Sequence, residues 1–288
     1  MQESSTKQKN QEKGAFELAI TNQSTFSVKN EGRKSTRHGA RNQHRHKHFT
    51  RWILSTFPHI LDECIDNDED GDVSTKKHIL DVAGGKGELS VRLCLCHSLN
   101  VTMIDPRQAD LAFVYMNSVV PKLPNKWRAS IEKRLKEHPT FVEDLLTRRY
   151  EQLVMPFIIP NYSWQNGDII DVAYRRKWCQ NNISPILQDA VQNASLIIGL
   201  HADGATEAIV DAALFYNKPF VIVPCCVFPN LFNNRFNTVQ YADGTFKQTP
   251  VRTHEQFCEY LLNKDQRFKR EVLPFEGRNI AIWWDGKP

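Results

Sequence analysis

Short apolar runs alternate with helical stretches along most of the chain from residue 78 onward. The runs that predict buried strands lie at 78–83, 101–104, 195–200 and 219–223. Between them, segments such as 87–98 and 205–216 have the length and spacing of helices. This alternation predicts an α/β domain with a mostly parallel sheet and helices on both of its faces.

The pattern is less regular in three places. The stretch from about 121 to 190 predicts a helical insertion at about 121–160 and one strand near 162–166. At the carboxyl end, 268–273 and 279–284 predict a final hairpin of two strands. At the other end, 49–61 predicts a short amphipathic helix, which would begin the folded domain.

The first 48 residues form a separate compositional region. They are rich in Gln, Asn, Lys and Ser and show no periodicity, which predicts a disordered basic leader at 1–48 and a folded domain at 49–288. The leader holds 10 Lys or Arg against 4 Glu, so it carries all of the net positive charge of +4. Such a segment can contact the phosphates of a polyanion, or it can be a solvated tail.

Composition narrows the possible compartments. The longest apolar run, 219–228, contains two prolines and is far shorter than the roughly 20 residues of a membrane helix. The amino terminus has no apolar core for a secretory signal, and seven cysteines follow no framework of spacings. We therefore expect an intracellular protein, cytoplasmic or nuclear, with reduced thiols and no membrane partner.

No metal site is predicted. The acidic segment 66–72 matches the first half of a calcium-binding loop, but the twelfth position, which must supply a Glu, is Lys77. The leader histidines lack cysteine or carboxylate partners at ligand spacing. Cys94 and Cys96 are two apart on a predicted helix and point to different faces.

The strongest chemical signal is ILDVAGGKGELS at 79–90. A buried strand carrying Asp81 leads through a glycine-rich turn straight into a helix, so backbone amides and the positive helix end face the space above the sheet. Eighteen residues beyond Gly87, the second strand ends at Asp105, a carboxylate that can accept both hydroxyls of a ribose. Gly85, Gly87 and Ser90 also approximate a dinucleotide fingerprint.

Asp81, Ala83, Gly85 and Gly87 resemble the first motif of the class I S-adenosylmethionine-dependent methyltransferases, with Ala83 in place of the usual first glycine and Gly84 beside it. The resemblance runs from about residue 50 to the carboxyl end. It implies a Rossmann-like fold with a seven-stranded sheet closed by an antiparallel hairpin, and S-adenosylmethionine as the cofactor. Asp81 and the amides of 84–87 would then hold the methionine part of the cofactor.

The same resemblance implies roles for two further carboxylates. Asp105 falls where the family binds the ribose, and Asp168, in an Asn-Gly-Asp sequence, resembles the residue that faces the adenine after the third strand. The final hairpin favours a methyltransferase over a dehydrogenase. A dehydrogenase would need more chain for its second nucleotide-binding half.

Residues after the fourth and fifth strands should face the transferred methyl group. His201 and Asp203 follow the fourth strand, where either could act as a general base or could hold and cap the turn. Cys225 follows the fifth, at the place of the nucleophilic cysteine of RNA cytosine-5 methyltransferases, but the Pro-Cys pair of that family is missing after the fourth strand. Cys225 could equally be a small packed residue.

Together these features predict methyl transfer from S-adenosylmethionine, with RNA as the favoured acceptor. The turns after the fourth and fifth strands loosely resemble a group that includes transfer-RNA ribose methyltransferases. The loop at 229–256 mixes aromatic residues with Arg235, Lys247 and Arg252, which suits stacking on bases and contact with phosphates. The alternatives are a non-catalytic methyltransferase-like module that binds RNA or a protein and, more distantly, an NAD-dependent oxidoreductase.

Overall fold

The computed structural model describes residues 44–65, 77–157, 184–240 and 244–287. Its α-helices are α1 (Arg45–Thr56), α2 (Pro58–Asp62), α3 (Glu88–Val91), α4 (Leu111–Val114), α5 (Asn125–Glu137), α6 (Phe141–Arg149), α7 (Pro185–Asn193), α8 (Thr206–Tyr216) and α9 (His254–Leu262). Its strands are β1 (His78–Val82), β2 (Val101–Ile104), β3 (Tyr150–Leu153), β4 (Ala194–Leu200), β5 (Phe220–Val223), β6 (Phe236–Gln240), β7 (Phe246–Pro250), β8 (Lys269–Val272) and β9 (Ile280–Trp284). Within these ranges, no helix is both long enough and apolar enough to cross a membrane.

Seven strands form one sheet in the order β3-β2-β1-β4-β5-β9-β8. The first five of that order are parallel to one another, and β9 runs antiparallel to both of its neighbours, β5 and β8. Strands β6 and β7 pair separately as an exposed hairpin. The sheet confirms the predicted fold class: a Rossmann-like, mostly parallel seven-stranded sheet with a carboxyl-terminal antiparallel hairpin.

The central strands are buried on both faces, which explains why they are continuous apolar runs and not alternating ones. Ile79 points into a core built largely with α1, α3 and α6, whereas the next residue, Leu80, points into a second core built with α7, α8 and α9. The helices thus cover the sheet on both faces, as the sequence predicts.

The third strand lies inside the segment 121–160, which the sequence predicts as a helical insertion. The strand beside β2 is Tyr150–Leu153, earlier in the chain than the 162–166 segment, which lies outside the described residues. It follows α5 and α6 directly, and these two helices occupy much of the stretch that predicts an insertion. Since β3 pairs on one side only and is only partly buried, its YEQL sequence carries little of the apolar signal that marks a strand.

The amino-terminal helix also differs from the prediction. It begins at Arg45, not at residue 49, so four basic residues assigned to the leader are helical. Its apolar side packs against the last strand: the rings of Trp52 and Trp283 meet edge to face at 5.6 Å, and Phe57 meets Trp283 at 5.7 Å. The basic residues that open α1 precede its first apolar position, so the sequence pattern alone begins the helix late.

Candidate functional site

The glycine-rich turn after β1 has a backbone that few side chains allow. Ala83, Gly85 and Gly87 have positive φ angles of 55°, 64° and 80°. At Gly84, an added Cβ would lie 2.5 Å from Met103 Sδ, closer than any real contact. The turn is therefore pressed against β2, with a left-handed conformation that favours glycine at 85 and 87.

The Asp105 carboxylate joins this turn to the end of β2. The Gly85 amide donates to Oδ2 over 2.9 Å, and Arg107 donates its amide and Nε to Oδ1 over 2.9 and 3.0 Å. Burial alone would raise the pKa of Asp105, but the hydrogen bonds from Arg107 and Gly85 outweigh it and lower that pKa. Asp105 therefore stays ionised beside the turn.

Asp81 lies behind the turn. Its side chain is only 1% exposed, and Oδ2 accepts a hydrogen bond of 2.7 Å from the Ser90 hydroxyl. Burial raises the pKa of Asp81 to about 7, although the hydrogen bonds from Ser90 oppose that rise. Asp81 thus fixes the start of α3 to the end of β1 and supports the turn from beneath.

The space above the sheet edge lies at the point where the strand order reverses, since β2 is on one side of β1 and β4 is on the other. Open α/β sheets bind their ligands at such a point. The residues predicted after β4 and β5, Asp203 and Cys225, are hydrogen-bonded to each other. The charge of Asp203 also contributes to a raised pKa of Arg107, although the hydrogen bond to Asp105 is the main cause.

His201 has both ring nitrogens engaged. Nε2 donates to the Arg278 carbonyl over 2.8 Å, so Nδ1 is left to accept from the Arg45 guanidinium at 3.3 Å. Burial lowers the pKa of His201, and the positive charge of Arg45 adds to that effect. A neutral imidazole thus links α1, the end of β4 and the final hairpin, which is the turn-holding alternative for this residue.

Asp203 and Cys225 are direct partners. The Cys225 thiol donates to Asp203 Oδ1 over 3.0 Å. Burial first, and then the neighbouring carboxylate, raise the pKa of Cys225 far above its usual range, so the thiol is protonated and a poor nucleophile at neutral pH. Asp203 has a left-handed φ of 48°, and the residue that caps α8 is Ala205, with no side-chain cap.

Helix α1 contacts the site through its first two residues, Arg45 and His46. Besides the bond from Arg45 to His201, His46 Nδ1 lies 3.2 Å from the carboxylate of Glu88, the first residue of α3. Burial would raise the pKa of Glu88, but His46 and Arg92 lower it to about 2. The sequence offers one signal for this role, the density of basic residues immediately before the apolar face of α1.

Gln152 is a second residue that the sequence analysis misses. From β3 it accepts the Ala109 amide over 3.0 Å and donates to the Arg107 carbonyl over 2.8 Å, which fixes the loop after β2. A polar residue inside a short strand is its only sequence signal. Asp168, predicted for the adenine, lies outside the described residues, and its role stays a prediction.

In the loop at 229–256, the expectation that Arg235 contacts phosphate is wrong. Arg235 is 2% exposed and donates to Glu207 over 2.6 Å, with its guanidinium over the rings of Phe232 and Phe257 at 3.8 and 4.5 Å. It is an internal cation and cannot contact phosphate, because its guanidinium is buried against Glu207 and the two aromatic rings. Lys247 and Arg252 are exposed.

Lys264 completes a buried charge network around Glu207. Its Nζ lies 2.7 Å from Glu207 and 2.8 Å from Asp211, and Tyr260 donates to Glu207 over 2.6 Å. Burial would raise the pKa of Glu207, but the charges of Lys264 and Arg235 outweigh it and lower that pKa. The network ties α8 to α9 and to the loop before β6.

No protein-family model matches this sequence, and no curated protein matches it. Among solved structures, the chain is similar to the methyltransferase domain of a bacterial CtHen1-CN, at 12% identity over 84% of this chain and 97% of that one, with a TM-score of 0.38. It is also similar to Streptomyces venezuelae DesVI, at 8% identity over 85% and 92% of the chains, with a TM-score of 0.33.

A third similar structure is the 1,6-didemethyltoxoflavin-N1-methyltransferase of Burkholderia thailandensis with bound S-adenosylhomocysteine, at 10% identity over 88% and 91% of the chains and a TM-score of 0.30. In the present chain, five parallel strands are followed by an antiparallel pair, and a glycine-rich turn sits on the acid that ends the second strand. This chain has the Rossmann-like fold, a mostly parallel seven-stranded sheet with a carboxyl-terminal antiparallel hairpin, that its resemblance to the class I methyltransferases implies.

Proposed function

We propose that this protein binds S-adenosylmethionine and transfers its methyl group to an acceptor. The observation that carries the proposal is the hydrogen bond from the Gly85 amide to Asp105 Oδ2. It holds a glycine-rich turn and an ionised, ribose-binding type of carboxylate together at the point where the strand order reverses.

The residues present fit that cofactor. The left-handed turn at Gly85 and Gly87 lets backbone amides approach a ligand closely, and these amides would hold the methionine part. Asp105 would take the ribose hydroxyls, and Asp168 is proposed for the adenine. When bound, S-adenosylmethionine supplies an electrophilic methyl group on a sulfonium, with a neutral thioether as the leaving group.

Arg107 must release Asp105 when a ribose binds. Its side chain is 75% exposed, and Nη2 and Nε share the two carboxylate oxygens at 3.3 and 3.0 Å. Water around the exposed guanidinium weakens its attraction to Asp105, so two ribose hydroxyls can replace it. Arg107 would then be free to contact the acceptor.

RNA is the acceptor that the chain's charges favour in this proposal. The basic leader continues into α1, where Arg45 reaches the site edge at His201. On the β6–β7 hairpin, Phe246 is 66% exposed next to Lys247, a combination suited to stacking on a base beside a phosphate.

Positioning, not proton abstraction, would then provide the acceleration. Neither nitrogen of His201 is free, and the Cys225 thiol is protonated. Methyl transfer needs the acceptor aligned with the carbon–sulfur bond, and alignment alone can contribute roughly 7–11 kcal/mol. The acceptor proton would pass to solvent.

Parallel calorimetric titrations with S-adenosylmethionine, S-adenosylhomocysteine and NAD test the proposal. Saturable binding of the two sulfur compounds alone, followed by transfer of a radiolabelled methyl group to an RNA pool, is the expected result. Labelling of a protein pool instead would show that the acceptor is a protein and not RNA. Selective binding of NAD would favour an oxidoreductase over a methyltransferase.

The side chains of His201 and Cys225 are already hydrogen-bonded within the protein, which also favours a second candidate, a non-catalytic module that binds RNA or a protein partner. Such a module does not need a free base at the strand ends. Cofactor binding without turnover on any RNA or protein pool would support it over the enzyme.

A further inference from the structure

Three ligand atoms of the kinds that bind metals converge where β4 and β5 end. Asp203 lies in the turn after β4, and Cys225 and Cys226 are adjacent in the loop after β5. One carboxylate oxygen and the two sulfurs all lie within 4.8 Å of one another. Among the described residues, no other group of three or more His, Cys, Asp or Glu side chains meets in this way.

The spacing is close to that of a tetrahedral zinc site. With zinc–sulfur bonds of about 2.3 Å and a zinc–oxygen bond of about 2.1 Å, two sulfurs lie roughly 3.8 Å apart and a sulfur and an oxygen roughly 3.6 Å apart. Cys225 Sγ is 3.0 Å from Asp203 Oδ1. Widening that distance by about half an ångström would replace the hydrogen bond with two bonds to one ion.

The charges also suit a cation. Three groups that become anionic on deprotonation are held side by side. In the described parts of the chain no cation pairs with Asp203 at salt-bridge distance, and the Arg107 guanidinium attracts it only from farther away. The Cys225 proton now separates the thiol sulfur from the carboxylate. A divalent ion would take the place of the thiol protons and remove the repulsion between the three groups. Asp203 and Cys226 are exposed, which gives an ion a path to the site.

We propose that Asp203, Cys225 and Cys226 bind one thiophilic divalent cation of the zinc type. Two sulfur ligands select zinc over Mg²⁺ and Ca²⁺, which prefer oxygen. Three protein ligands leave a coordination position for water or another heteroatom, as in catalytic zinc sites. The proposal does not depend on methyl transfer, because metal binding can be measured without S-adenosylmethionine.

The test is a titration of the reduced, chelator-stripped full-length protein with Zn²⁺ against a chromophoric chelator, and with Co²⁺ by absorption. We expect one tightly bound equivalent, a thiolate-to-cobalt charge-transfer band, and no competition from millimolar Mg²⁺. The double variant Cys225→Ser/Cys226→Ser should lose at least about 100-fold in affinity, and Asp203→Asn at least about 10-fold.

Cys96→Ser is the matched control. Cys96 is a partly buried thiol in the π-helical turn Arg92–Cys96, outside the cluster, so its replacement should leave Zn²⁺ affinity unchanged. Circular dichroism of each variant reports whether the fold survives. Equal affinity in the double variant and the wild type would overturn the proposal, as would the absence of a bound equivalent.

A second measurement needs no variant. Alkylation of the wild-type protein, mapped by mass spectrometry, should show that Zn²⁺ protects Cys225 and Cys226 and leaves the labelling of Cys96 unchanged. Equal labelling of the cysteine pair with and without Zn²⁺ would contradict the site.

Discussion

Asp105 Oδ2 accepts the amide hydrogen of Gly85 over 2.9 Å, across 20 positions of sequence. The glycine-rich turn and the proposed ribose ligand are therefore one unit, and a change at the carboxylate affects both. Because Asp105 is ionised and hydrogen-bonded on both oxygens, its removal leaves the Gly85 amide and Arg107 without their partner.

Asp105→Ala should abolish most of the affinity for S-adenosylmethionine. Truncating one partner of a buried, charge-assisted hydrogen bond costs about 2 kcal/mol or more, which corresponds to at least roughly 30-fold in Kd. Calorimetry with S-adenosylhomocysteine measures the loss. Asp110→Ala is the control, because the Asp110 side chain lies in the same loop and caps α4 by accepting from the Phe113 amide. Unchanged affinity in Asp105→Ala would remove this residue from the site.

Arg107→Ala, unlike Asp105→Ala, should not weaken the binding of S-adenosylmethionine. The guanidinium competes with a ribose for Asp105 in the free protein, so its removal should leave cofactor affinity unchanged or tighten it by up to about fivefold. The same titration measures the effect. A large loss of affinity would instead make Arg107 a ligand of the cofactor.

Asp81 should make the protein less stable as pH rises. Burial raises the pKa of Asp81 to about 7, above the roughly 3.9 of an unfolded aspartate, so between these values the folded state binds more protons than the unfolded state. The contribution of Asp81 to the free energy of unfolding is fully present below pH 4 and is lost as pH approaches 7. The total is on the order of 4 kcal/mol.

Urea unfolding of wild type and Asp81→Asn at pH 5.0 and 7.5 measures this effect. The amide does not titrate, so the free energy of unfolding of the wild type relative to Asp81→Asn should fall by roughly 2–3 kcal/mol between the two pH values. A parallel pH dependence in the two proteins would show that Asp81 has an ordinary pKa.

Lys264→Met should be strongly destabilising. It removes the cation that pairs with both Glu207 and Asp211, and breaking a buried ion pair in this way costs about 3–5 kcal/mol. Lys269→Met, which removes a half-exposed pair with Asp285, should cost less than about 1 kcal/mol. Denaturant unfolding measures the loss of stability in both variants. If Lys264→Met cost as little as Lys269→Met, the buried network would not contribute to stability.

Deletion of residues 1–43 should weaken RNA binding and make it less dependent on salt. The segment carries 8 Lys or Arg, so loss of their phosphate contacts would reduce the slope of log affinity against log salt by as much as about six for a single strand. Deletion of 1–48 also removes Arg45 and His46, which contact His201 and Glu88, and should lower the melting temperature as well. An unchanged slope after the first deletion would exclude the leader from RNA binding.

The central strands and the glycine-rich turn could be predicted because their causes are local. Strands buried on both faces are apolar throughout, and the turn requires glycine at 85 and 87 on steric grounds. The edge strand β3 could not be predicted, since one-sided pairing leaves its sequence polar.

The partners of single polar residues could not be predicted from the sequence either. Asp203 has the sequence of a helix cap, but its partner is Cys225, 22 positions later. Arg235 has the sequence of a phosphate contact, but it is buried against Glu207. Such pairs depend on how β4, β5 and α9 meet in three dimensions, and no local pattern records that.

The contact of α1 with β9 has a consequence during synthesis. Trp52 packs against Trp283, about 230 residues later, so on a ribosome that adds about 5–20 residues per second the aromatic face of the first helix would stay without its partner for roughly 10–50 s. Until the last strand emerges, the nascent chain would expose an apolar surface of the kind that chaperones bind.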